Sequence, residues 1–116
     1  MNFYRSVLSR TLANGVGIHV FPQPGSAVEV ECFIRTGSIH EGEQLGFGLS
    51  HFLEHMVFQG SRGYPGTTAA DTINRIGGQM NAYTSFDHTA YHAQLSGRHL
   101  KTAIEVIAAM VCHPEF

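Results

Sequence analysis

The sequence predicts an α+β fold, an antiparallel sheet with helices packed on one face. Two observations carry this. Two hairpin-like segments, at residues 6–21 and 79–95, are marked by turn signals and strand-forming residues, and a single strand alternating with a period of two follows the first. Segments with helical spacing lie between and after them. Helices and antiparallel strands therefore occupy separate runs, in the order β-β-β-α-α-β-β-α.

The first pair, "SVLSRTLANGVGIHVFP", turns at Asn14-Gly15, a strong hairpin signal because a two-residue type I′ turn needs positive φ at both central positions. Pro22, Pro24 and Gly25 break the chain. In "AVEVECFIRTG", Val28, Val30, Cys32 and Ile34 share one face and Glu29, Glu31 and Arg35 the other, which predicts a strand with one wet side. "GSIHEGEQLGFG" and "GSRGYPG" read as loops around a helix from about Leu49 to Phe58. A second helix is predicted near residues 67–76. Thr68 and Asp71 have capping-box spacing, and Gly77-Gly78 supplies the stop. "QMNAYTSF" and "TAYHAQL" flank Asp87-His88 as a second hairpin. Ser96 is placed to cap a last helix with Leu100, Ile104, Ile107 and Val111 at core spacing.

The chain has 116 residues, enough for one domain with a real core, and 43% hydrophobic content fits an ordered globular protein. A net charge of −2 leaves no basic footprint for nucleic acid. Cys32 and Cys112 lack metal or redox spacing and read as reduced thiols. No stretch reaches membrane-span length, and no apolar leader core opens the chain. The end, "CHPEF", follows a helical pattern directly, so the chain is expected to be an excised piece of something longer.

The most informative stretch is "GLSHFLEHMVFQG". At 100° per residue, Leu49, Phe52, Leu53 and Met56 cluster on one side of the helix, while His51, Glu54, His55 and Phe58 lie on the other. Imidazoles at i and i+4 stand one above the other and can share one Zn²⁺ at about 2.0–2.1 Å each. Glu54, on the same arc, can serve as general base toward a metal-activated water without being a ligand. On spacing alone a solvated polar face remains the rival reading. His88 and His92 share a strand face, but that spacing spreads them along the strand.

HxxEH is the inverzincin signature, and its surroundings decide the case. "GLSHFLEHMVFQGS" resembles, nearly position by position, the zinc-site helix of the pitrilysin, insulysin and mitochondrial processing peptidase family. "LANGVGIHVFPQPGSAVEVECFIRTGSIHE" looks like that family's opening strands and its Gly-Ser-x-x-Glu loop. "GGQMNAYTSFDHTAYHAQL" looks like its later strand pair, and "MVCHPEF" like the end of its third helix. The resemblance implies a zinc-dependent endopeptidase with His51 and His55 as metal ligands and Glu54 as catalytic base. It also implies that Asn81 and Ala82, in "NAYTS", pair with an extended peptide or unfolded-protein substrate by strand addition.

The family's third ligand, a glutamate on a later helix, would fall beyond Phe116, as would the second family domain or subunit that closes over substrate. The expectation is therefore the amino-terminal part, residues 1–116, of a single metallopeptidase domain, inactive and self-associating when taken alone. The resemblance implies cytoplasm or periplasm for a bacterial chain and mitochondrial matrix for a eukaryotic one. Two alternatives stand beside it. One is a non-catalytic peptide-binding or assembly subunit of the same family, which the intact motif disfavours. The other is S-ribosylhomocysteine lyase, whose catalytic cysteine neither Cys32 nor Cys112 matches in position.

Overall fold

Alternating residues and turn signals produce the strands where the sequence places them. The computed structural model describes residues 7–116; Ser6, the first residue of the expected hairpin, lies outside them. Strands β1 (Leu8–Thr11) and β2 (Gly17–Val20) pair antiparallel as a separate, fully exposed ribbon. Its turn differs from the expected one. The Gly15 N–H bonds Leu12 O, the Leu12 N–H bonds Val16 O, and Gly15 has φ 88°. Ala13, Asn14 and Gly15 thus form a three-residue loop closed by a left-handed glycine, rather than a two-residue turn.

The main sheet has three strands in the order β3-β7-β6, built from β3 (Ala27–Ile34), β6 (Gln79–Thr84) and β7 (Thr89–Ser96), all antiparallel. Between β3 and β6 lie α1 (Leu49–Val57), a short hairpin of β4 (Gly60–Ser61) with β5 (Tyr64–Pro65), and α2 (Thr68–Arg75). The hairpin sits in the stretch expected to be a plain loop. After β7 a single 3₁₀ turn, Gly97–His99, leads into α3 (Leu100–Cys112).

Register assigns the two sheet faces. Val30 pairs with Ala93 and Ala93 with Met80, while Cys32 pairs with Tyr91 and Tyr91 with Ala82. These residues face the helices, and Ala93 and Tyr91 are buried among Ile73, Val106 and Met110. Glu31, His92 and Asn81 are aligned on the opposite face, which is wet.

Several helix details depart from the sequence reading. On α2, Thr67 rather than Thr68 takes the cap position, and the Thr67 hydroxyl donates to Asp71 Oδ2 at 3.1 Å, so the expected box does not close on the backbone. The stop is as expected: Gly77, at φ 78°, donates to Asn74 O while Gly78 donates to Ile73 O, the paired bonds of a glycine-terminated helix. The Ser96 side chain makes no cap bond. On α3 the buried set is Ala103, Val106, Ile107 and Met110, while Ile104 is 50% exposed and Leu100 is also exposed. Apolar residues cover more than one face of α3, so spacing alone could not choose. Beyond α3, the Arg62 N–H bonds His113 O and the Glu115 N–H bonds Gly60 O, so the end of the chain closes onto β4.

The rotation of α3 is testable. Met110→Ala should cost about 2–5 kcal/mol, as for a buried large-to-small change, and Ile104→Ala no more than about 1 kcal/mol. Urea unfolding of both variants reads the difference, and equal costs would contradict the rotation.

Candidate active site

Helix α1 begins at a glycine-rich loop because its first residue follows Gly48, whose φ of 74° suits glycine. Three unpaired N–H groups of that first turn need acceptors, and one is supplied from outside the helix. Glu41 is buried and its Oε1 accepts the Ser50 N–H at 2.8 Å. That bond first, with the Ser50 hydroxyl and the Leu49 and Gly46 N–H groups, holds the Glu41 carboxyl below the usual carboxylate range against the opposing effect of burial. Glu41 is in turn placed by its own loop. The Ser38 N–H bonds Ser85 O at 3.1 Å and the Ile39 N–H bonds Phe86 O at 2.9 Å. A Cβ on Gly37 would collide with the carbonyl oxygens of Ser85 and Phe86, so only glycine permits this close approach to the β6–β7 turn.

The helix is turned opposite to a simple amphipathic packing. Glu54 is 6% exposed and packed against β6, whereas Phe52 is 62% exposed and Leu49 and Leu53 are about half exposed. The sequence expectation of one solvent-facing polar arc is therefore corrected: His51 and His55 are exposed, but Glu54 points inward. A carboxylate is expensive to bury unless it is hydrogen-bonded, and the Thr84 hydroxyl donates to Glu54 Oε2 at 2.6 Å.

The two imidazoles converge. His51 Nε2 and His55 Nε2 are 3.1 Å apart, and one ring nitrogen of each histidine lies within 4.8 Å of a Glu54 carboxylate oxygen. Tetrahedral zinc with bonds of about 2.0–2.1 Å sets two nitrogen ligands roughly 3.3 Å apart. The i, i+4 spacing brings the pair together on one helix face, and a hydrogen bond between the two imidazoles holds them near that separation. The residues therefore fit zinc as two of its ligands.

A cleft of about 360 Å³ adjoins them, lined by Ser38, Glu41, Gly48, His51, Glu54, Ala82, Tyr83 and Thr84. Beneath it, Tyr91 is buried; burial first, then the Glu54 charge, pushes its phenol up to about 12, so it stays protonated. Ala82 is thus beside the reactive groups. Asn81 is not among the lining residues; it occupies the wet face of β6, where its Oδ1 accepts the Ala82 N–H at 2.9 Å. Ser85 donates to His88 O, and hydrogen-bonded pairs alternate along an antiparallel ladder, so the backbone groups of Met80, Ala82 and Thr84 point away from β7. Among the described residues β6 is an edge. Glu41 and Thr84 were not singled out from the sequence. Glu41 had a signal in the Gly-Ser-x-x-Glu loop, whereas Thr84 looked like any strand threonine.

Two imidazoles at metal-ligand spacing and a buried carboxylate thus share one helix, beside an open sheet edge. The chain belongs to the insulinase family, peptidase family M16: the family profile described as Insulinase (Peptidase family M16) matches residues 21–116. An uncharacterized zinc protease of Bacillus subtilis, YmxG, is 40% identical over 107 residues, covering 91% of this chain and 26% of that protein. The mitochondrial-processing peptidase subunit beta of Dictyostelium discoideum is 30% identical, covering 91% of this chain and 23% of that protein. A protease from Helicobacter pylori superimposes with a TM-score of 0.88 at 29% identity, over 96% of this chain and 27% of that one. The chain thus spans about a quarter of the length of these relatives. Zinc is the metal in the names of YmxG and of other curated relatives.

The Glu41 cap carries a pH signature. Its folded-state pKa is the lower one, so its contribution is full above the ordinary value of 4.5 and is lost as pH falls through the folded value. Glu41→Gln should therefore melt below the wild type at neutral pH, with the gap closing as the medium is acidified through that window. A gap independent of pH would remove the charge from the account.

Proposed function

We propose that this segment carries the metal-binding and general-base half of a zinc-dependent endopeptidase site, as the amino-terminal part of a single metallopeptidase domain. The observation that carries the reading is the convergence of His51 and His55 at metal-ligand spacing beside the buried carboxylate of Glu54. His51 and His55 would hold the metal through Nε2. When bound, zinc supplies a Lewis acid that polarises the scissile carbonyl and lowers the pKa of the attacking water.

The remaining work falls to the chain's own groups. Glu54 takes the proton of the attacking water on its carboxylate and returns it to the departing amine nitrogen. The 4.8 Å limit between Glu54 and the imidazole nitrogens leaves a reach that one water molecule can span. Ala82 offers outward-pointing backbone groups on the β6 edge, so an extended peptide or unfolded-protein segment can add there as a further strand, with little dependence on its sequence. Asn81, whose carboxamide holds the Ala82 N–H, is placed to exchange that bond for one to the peptide backbone. The third metal ligand, a glutamate, and a second domain or subunit closing over the substrate belong to the rest of the parent protein. Names among the relatives support this organisation: one is a mitochondrial subunit, and a solved relative is the first half of a periplasmic protease from Escherichia coli. Among the described residues no helix is long and apolar enough to cross a membrane.

In the full-length protein, Glu54→Gln should retain zinc while turnover of an unstructured peptide falls roughly 10²–10⁴-fold. Near wild-type turnover would take Glu54 out of the mechanism. For the 116-residue chain alone, two histidines fall short of the three protein ligands of a catalytic zinc site, and the half-exposed Leu49, Phe52 and Leu53 form an apolar stripe. Elemental analysis and light scattering should show less than one zinc per chain and a mass above the monomer. One tightly held zinc per monomer, with peptide hydrolysis, would contradict this.

A further inference from the structure

We propose that Thr84 positions the Glu54 carboxylate for proton transfer, an inference that rests on Glu54 acting as the general base. A glutamate side chain has three rotatable bonds, and a base must present one oxygen at a fixed place to be effective. Thr84 Oγ1 donates to Glu54 Oε2 at 2.6 Å, at the short end for a hydrogen bond to a carboxylate. Among the described residues this is the side-chain hydrogen bond that Glu54 makes. With Oε2 taken, Oε1 is the oxygen left to meet a proton in the cleft that Glu54 and Thr84 both line.

The donor itself is stiff. Thr84 is β-branched and therefore restricted at χ1, and it sits on β6 in register with Thr89 of the central strand. The next two residues, Ser85 and Phe86, give their carbonyls to the Ser38 and Ile39 N–H groups. Glu41, at the other end of that loop, holds the start of α1 through Ser50. Helix and strand are thus joined at two points, and Thr84 is the one that touches the base. Its hydroxyl is committed to Glu54, so it acts through that carboxylate rather than on substrate or metal.

The test uses the full-length protein and a fluorogenic peptide, with Thr84→Val, Thr84→Ser and Glu54→Gln made in parallel. Thr84→Val keeps shape and removes the donor. It should lower kcat roughly ten- to a hundredfold, the loss expected for one hydrogen bond to a charged group. KM and zinc content, the latter read by elemental analysis, should be unchanged. Thr84→Ser should restore most of kcat, and Thr84→Val added to Glu54→Gln should cost no further rate. Wild-type kcat in Thr84→Val, while Glu54→Gln is inactive, would overturn this inference alone. An active Glu54→Gln would overturn the underlying reading instead. Lost zinc or lost fold in Thr84→Val, with Thr84→Ser equally impaired, would show a merely structural threonine and also overturn the proposal.

Discussion

The burial of one carboxylate decides how the helix of the HxxEH motif sits. Hydrophobic burial alone would press Leu49, Phe52 and Leu53 against the sheet and leave Glu54 in water. The structure does the reverse, with Glu54 6% exposed and those three residues about half exposed or more. An isolated carboxylate would make that orientation costly by several kcal/mol. Two features hold it: the Thr84 hydroxyl satisfies Glu54 Oε2, and Val57, one turn on, enters the core on the same side. Once α1 is turned this way, both histidines are exposed, with His51 lining the cleft, and neither is inside the core.

The same orientation leaves an apolar stripe facing outward. Fully burying a Leu or Phe side chain is worth about 1.5–3 kcal/mol, so a helix that exposes three of them leaves a sizeable gain unrealised. Relatives about three and a half times as long as this chain have further chain with which to realise it. The stripe and the motif are thus two consequences of one constraint. A helix that must bury its chemistry against its own sheet has only its apolar side left to offer to anything that packs on it later.

Much of this was legible in the sequence, and the limits have physical reasons. Strand β3 was readable because it alternates, β6 and β7 because stretches rich in Tyr, Phe and Thr flank Asp87-His88, and α2 ended where Gly77-Gly78 said it would. The HxxEH spacing gave the convergence of His51 and His55, since i, i+4 geometry is local. Orientation was not readable. Periodicity separates the faces of α1 but does not say which is inside, and the usual rule that the apolar face goes in fails at Glu54. On α3 the apolar band is wider than one face, so spacing did not say that Met110 and not Ile104 would be buried. Thr84 carried no signal because its meaning lies in a contact 30 residues away in sequence.

Strand β6 shows how the fold separates tasks along a few residues. A strand sends alternate side chains to opposite faces and its backbone groups into the plane between them. Here the inward set includes Ala82 and Thr84, beside Glu54; the outward set includes Asn81 and Tyr83, and the Tyr83 hydroxyl reaches Glu31 across the wet face at 3.3 Å. The in-plane groups of Ala82 lie between the two. A peptide added to that edge would therefore be gripped by backbone in the plane of the sheet, while the groups that act on it come from one face only.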